Sequence, residues 1–307
     1  MTFIVFTTIQ IILISIVTPL GVFEEKIRTS GGFAKLVTSS LFVDKTLLIK
    51  AWFEDKNFVL LTAPRRSGKS MLLSMLKHFL EIPVDERGTI MEINSSLNYK
   101  LFKEKSFNIF KEKAFFSEHF GRYPVVFVEF KRHSGEITYK EVLDIFRRTL
   151  RNIFIQHKYL LYHKYMWLDE VELDHFNDYL YKKRRYKLSP PYLIKALSYL
   201  CQILKMHYGR RAIVLIDNYD ALIDTLDLRY NPDIHRIISF LERFYTVLLG
   251  SVQVVERTLM TGLYQRQGVT NLPSYRVLPR NIPKCNYLDD RPFCNIFRSR
   301  SSVNISQ

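Results

Sequence analysis

Eight consecutive residues, Ala63-Pro64-Arg65-Arg66-Ser67-Gly68-Lys69-Ser70, follow the spacing G-x-x-x-x-G-K-[ST], with Ala in the first Gly position. A turn of this kind between a strand and a helix points successive backbone N–H groups at one anion. The helix N-terminus adds its partial positive charge. Gly68, with no Cβ, lets the backbone approach a phosphate. Lys69 would reach the β- and γ-phosphates of a nucleotide, and the Ser70 hydroxyl would ligate Mg2+. Arg65 and Arg66 read as phosphate or interdomain contacts.

Such a loop needs an acidic partner at the tip of a neighbouring strand to hold the metal. Ile213-Val214-Leu215-Ile216-Asp217 supplies one: four apolar residues, then a carboxylate. The competing reading of Asp217 alone is an ordinary strand ending in a solvated acid. Asn218 can hold a water but cannot take its proton, and Asp220 is a second acidic candidate that could act as substitute base. Thr258 and Thr261, on a later strand, are candidates for touching the γ-phosphate, although Thr is also simply favoured in strands.

The elements that must position these groups are legible in the hydrophobic pattern. The apolar run 58–63 has the length of a buried strand, and Met71, Leu72, Met75, Leu76, Phe79 and Leu80 recur at helical spacing before Pro83. Further strands are expected at 125–130, 212–217 and 256–261. Helices are expected over 138–165, from Pro190-Pro191 to Gly209, and over 234–248. Nearly continuous apolar strands alternating with helices predict an α/β fold, a parallel sheet sandwiched by helices.

Three blocks together resemble the AAA-ATPase-like family of P-loop proteins: Phe42-Val43-Asp44-Lys45-Thr46-Leu47-Leu48-Ile49-Lys50, Leu61 to Ser70, and Leu215-Ile216-Asp217-Asn218-Tyr219-Asp220, with Thr261-Gly262 at a later strand end. The resemblance covers about residues 35–275. It implies an ATP-binding sandwich of the additional-strand class with Mg2+ as cofactor, Lys69 and Ser70 on the phosphates and metal, and Asp217 on the metal. Asn218 stands where the family usually carries Glu, and Ser67 where Phe is usual. Many relatives carry a nuclease-type domain after the ATPase domain, and the stretch after Gly262 is too short for one. Weak or absent ATP hydrolysis is the expectation. The alternative is a secreted, non-enzymatic interaction protein that retains the scaffold.

Composition bounds the rest. The chain has 307 residues, 47% apolar and 24% charged, which excludes a disordered or low-complexity protein. A net charge of +15 favours polyanionic partners. Residues 3–20 carry no charge and end in Pro19 and Gly21, so residues 1–21 read as a secretory signal and the protein as secreted; an uncleaved membrane anchor and a buried N-terminal segment are the alternatives. The α/β domain is then 22–275, followed by an irregular basic tail over 276–307. Cys285 and Cys294 could pair, whereas Cys201 sits in an apolar helical pattern as a small hydrophobe. No Cys and His spacing suits zinc. The basic run Lys182-Lys183-Arg184-Arg185-Tyr186-Lys187 could bind nucleic acid; the reading preferred here is a solvated loop. Nucleotide is the partner the motifs indicate; a protein partner is left unnamed.

Overall fold

The computed structural model describes residues 32–37, 42–131, 137–163, 165, 167, 169–181, 188–222, 231–263 and 284–286. Residues 1–21, read as a secretory signal, the basic run 182–187 and Cys294 lie outside them. Two compact units are present, residues 1–44 and 45–307. In the first, the short helix α1 (Gly32–Leu36) sets the Phe33 ring edge-on to Phe42 at 5.9 Å.

The second unit begins with α2 (Leu48–Glu54), strand β1 (Phe58–Ala63) and helix α3 (Lys69–Leu80). Three short helices follow, α4 (Leu97–Glu104), α5 (Asn108–Lys111) and α6 (Lys113–His119). Then come β2 (Val125–Glu129), α7 (Tyr139–Gln156), α8 (Glu170–Leu180), α9 (Pro190–Tyr208), β3 (Ala212–Asp217), α10 (Ile234–Gly250), β4 (Val255–Leu263) and β5 (Lys284–Asn286). All strand pairs are parallel and the sheet order is β2-β3-β4-β1-β5. Thus β4 lies between β1, which leads into the turn over 64–68, and β3, which ends in Asp217, the placement that the resemblance to the additional-strand class implies. The anticipated α/β sandwich is what the chain forms.

Alternation along the strands sorts their side chains to two faces. Leu60, Val126, Val128, Val214, Ile216 and Met260 pack into one large core with α7, α8, α9 and α10. The opposite face carries α3, which packs on β2, β3 and β4. Every residue of β3 is buried, as a central parallel strand covered on both faces requires. Phe79 of α3 gathers Phe102 of α4, Phe115 and Phe116 of α6 and Phe120, which follows α6, around its ring. The Arg257 guanidinium, at the start of β4, donates to the carbonyls of Trp52, Phe53 and Asp55 and so caps the C-terminal end of α2.

Local signals account for most boundaries. Pro190 opens α9, and Gly209, at φ 66°, closes it in the left-handed region that favours glycine. Thr138 and Glu141 form a reciprocal capping box at the start of α7. Three differences from the sequence reading stand out. The helix expected over 138–165 stops at Gln156, and a 3-10 turn follows over Lys158–Tyr162, because His157 leaves helical geometry with its ring buried and bonded to the Tyr159 hydroxyl. Helix α8 is not among the helices expected; its Asp169 cap accepts from the Glu172 N–H. Finally, β5 adds three residues to the edge of β1 inside the tail read as irregular. Pairing there uses backbone groups alone, and so short a strand has no periodicity to read. No helix among the described residues is long and apolar enough to cross a membrane.

Candidate functional site

The parallel sheet brings three strand tips to its C-terminal edge, where ligands bind in open α/β sheets. The first is the end of β1. Ala63 is buried, while Pro64, Arg65 and Arg66 are exposed in the turn that leads to α3. Arg66 has φ 61° and Gly68 has φ 94°. Left-handed residues alternating with ordinary ones turn neighbouring N–H groups toward a common point, which is the geometry of an anion nest. A Cβ on Gly68 would meet no protein atom within 4 Å, so glycine is demanded here by the backbone angle rather than by crowding.

Lys69 and Ser70 form the first turn of α3. The Lys69 ammonium is largely buried and donates to the Ala63 carbonyl at 2.8 Å and the Pro64 carbonyl at 2.7 Å. It therefore holds its positive charge against the loop itself. Ser67 Oγ is buried and has no hydrogen-bond partner among the described residues. A loop with a nest of N–H groups, a fixed cation and an unsatisfied hydroxyl fits a phosphate-bearing ligand.

The other two tips belong to β3 and β4. Asp217 is buried and its Oδ1 accepts from the Thr261 hydroxyl at 2.5 Å; the same hydroxyl oxygen accepts from the Asn218 N–H at 3.3 Å. Asn218 has φ 55°, a left-handed conformation that Asn tolerates better than most residues. A cavity of about 470 Å3 is walled by the loop from Arg65 to Met71 together with Asn218 and Leu263. Its size lies in the range of small-molecule sites, about 300–1,000 Å3. A larger cavity of about 770 Å3 sits among Ile93, Tyr99, Phe116 and Phe120, away from any of these groups. At the smaller one the nest and Lys69 face Asn218, the residue that follows the acidic tip of β3.

The structure thus brings together Ser67, Gly68, Lys69, Ser70 and Asn218 at one cavity, with Asp217 and Thr261 joined directly behind Asn218. It leaves Thr258 apart. Thr258 pairs with Phe58, at the end of β1 remote from the loop, and its buried hydroxyl has no partner among the described residues. Asp220 is buried, is not part of the cavity wall, and accepts from the Leu263 N–H at 2.8 Å. Among the described residues no group of three His, Cys, Asp or Glu side chains could hold a metal. A hard divalent cation here would rest on the Ser70 hydroxyl and Asp217, completed by ligand oxygens and water, as Mg2+ sites commonly are.

Sequence reasoning missed Met71 and Leu263, apolar residues whose place in the wall depends on strand register. It also missed Tyr245, whose hydroxyl donates to the Tyr219 carbonyl at 2.8 Å; burial pushes that phenol well above its ordinary range and keeps it a donor. No sequence signal links Tyr245 to residues so far upstream.

A strand–loop–helix anion nest, a carboxylate two strands away and a parallel sheet covered on both faces define an α/β domain of the P-loop nucleoside-triphosphatase type. A family model described as predicted AAA-ATPase matches residues 31–269, and the chain belongs to this AAA-ATPase-like family. Neither a curated protein nor a solved structure matches it.

Proposed function

We propose that this protein binds Mg-ATP in the cavity between the phosphate loop and the tips of β3 and β4, and that it hydrolyses ATP slowly or not at all. The observation that carries this reading is the loop itself: left-handed Arg66 and Gly68, unsatisfied Ser67 and anchored Lys69 all border one cavity with Asn218. Bound Mg-ATP supplies the phosphoanhydride and the divalent charge. The backbone N–H groups and Lys69 counter the phosphate charge. Ser70 and Asp217 hold the metal, and Thr261 orients the Asp217 carboxylate through its hydroxyl. The Asn218 amide can orient water at the cavity wall but cannot remove its proton. Membership of a family of predicted ATPases supports nucleotide as the ligand.

The test is a thermal melt with and without Mg-ATP. Ligand at about 100-fold over its Kd stabilises by about 2.7 kcal/mol. Lys69→Ala should abolish most of that shift. A wild-type protein whose melting temperature ignores millimolar Mg-ATP overturns the proposal.

A further inference from the structure

The sequence offers Asp220 as a substitute base for the attacking water. Its surroundings favour a different task. The chain after Asp217 turns over residues 218–222, closed by the Ala221 N–H on the Asn218 carbonyl at 2.9 Å. Four contacts then fix this turn to its neighbours. The Asn218 N–H donates to Thr261 Oγ1 at 3.3 Å, and the Tyr219 N–H to the Thr261 carbonyl at 2.9 Å. The Tyr245 hydroxyl holds the Tyr219 carbonyl, and Asp220 Oδ2 takes the Leu263 N–H at 2.8 Å.

Gly262 makes the arrangement possible. A Cβ there would lie closer than 3.0 Å to two carbons of the Tyr219 ring and 3.0 Å from Asp220 Oδ2. The strand therefore passes flush against the turn. Leu263, whose N–H Asp220 engages, is in register with Ala63, the first residue of the phosphate-loop motif. Leu263 and Asn218 are also the two residues that β4 and the β3 tip contribute to the cavity wall.

We propose that Asp220 is a positioning residue: its carboxylate clamps the turn carrying Asn218 to the tip of β4, and so sets the cavity wall opposite the phosphate loop. It acts as a hydrogen-bond acceptor and takes no proton from water. This rests on the reading of the cavity as the nucleotide site.

The two roles separate cleanly in variants. Asn keeps an acceptor oxygen but cannot serve as a base; Ala keeps neither. Amide hydrogen exchange at Leu263 reads the clamp in the protein without nucleotide, and Mg-ATP affinity and phosphate release read the site. Loss of a hydrogen bond to a charged group corresponds to about tenfold or more in an equilibrium constant. Asp220→Ala should speed Leu263 exchange by about tenfold and weaken Mg-ATP binding by about as much. Asp220→Asn should restore both to within about threefold of wild type, and any phosphate release with them, the residual gap being that of a neutral acceptor for a charged one. Phosphate release lost equally in both variants, with Leu263 protection and Mg-ATP affinity intact, would show that Asp220 is the base and overturn the proposal. Unchanged Leu263 exchange in Asp220→Ala overturns it too. A wild-type protein that binds no Mg-ATP removes the nucleotide-site reading and the positioning role with it, even where the exchange data show the clamp.

Discussion

Replacing Asn218 by Glu asks what limits turnover, and the structure sets both sides of the result. Asn218 holds φ 55°, a conformation that costs most L-residues about 1–2 kcal/mol and Asn less. Glu therefore loses about 1 kcal/mol of stability at this position, a melting decrease of about 2–4 °C for a domain of this size. The side chain gained is a carboxylate at the wall of the cavity. A positioned general base contributes about 10²–10⁴-fold, or roughly 3–5 kcal/mol of barrier. The chemical gain exceeds the conformational loss. Phosphate release at saturating Mg-ATP should thus rise by at least about a hundredfold in Asn218→Glu, from a slow wild-type rate, while the melt falls by a few degrees. Asn218→Gln, with the length of Glu but no basic oxygen, should show the stability loss without the gain. A folded Asn218→Glu protein that binds Mg-ATP normally and releases phosphate no faster than wild type would refute the reasoning. So would a wild-type rate already at the level of the Glu variant.

Three further outcomes follow from the packing and from burial. Thr258→Val removes a buried hydroxyl with no partner among the described residues, so the melting temperature should hold or rise and Mg-ATP affinity should not change; a loss of affinity would return Thr258 to the site. Gly262→Ala pushes a methyl into the Tyr219 ring, and overpacking of this kind costs about 1–3 kcal/mol, readable as a lowered urea midpoint; an unchanged midpoint would mean the turn can yield. Burial holds the His157 imidazole down at about 4, against 6.5 when exposed. Between those values the unfolded chain binds the extra proton and the folded one does not. Stability therefore falls as pH drops from about 6.5 toward 4, by about 3 kcal/mol from this group. Urea melts across that window should flatten in His157→Gln; the same slope in wild type and variant would place the dependence elsewhere.

What the sequence determined by itself is mostly local. The run 58–63 and the helical spacing that ends at Leu80 reappear in the structure, the helix starting at Lys69, one residue before the apolar pattern read from Ser70, because strand burial and helix periodicity each act over a few residues. The same holds for β3 and for α9 between its proline and its glycine. The types of Lys69, Ser70 and Asp217 point to phosphate and metal chemistry, the basis of the function proposed above. Their assembly was not legible. Strand order places β4 between β1 and β3, and this alone brings Thr261 to Asp217 and leaves Thr258 at the far end. In sequence the two threonines are three residues apart and chemically alike. Asn218 read as a missing base, and only the backbone angle shows that a left-handed turn also favours Asn there. The tasks of Asp220, Gly262 and Tyr245 depend on one close passage of a strand past a turn. Such a passage is a long-range packing event: it is set by which elements stack together, and no local pattern in the chain encodes it.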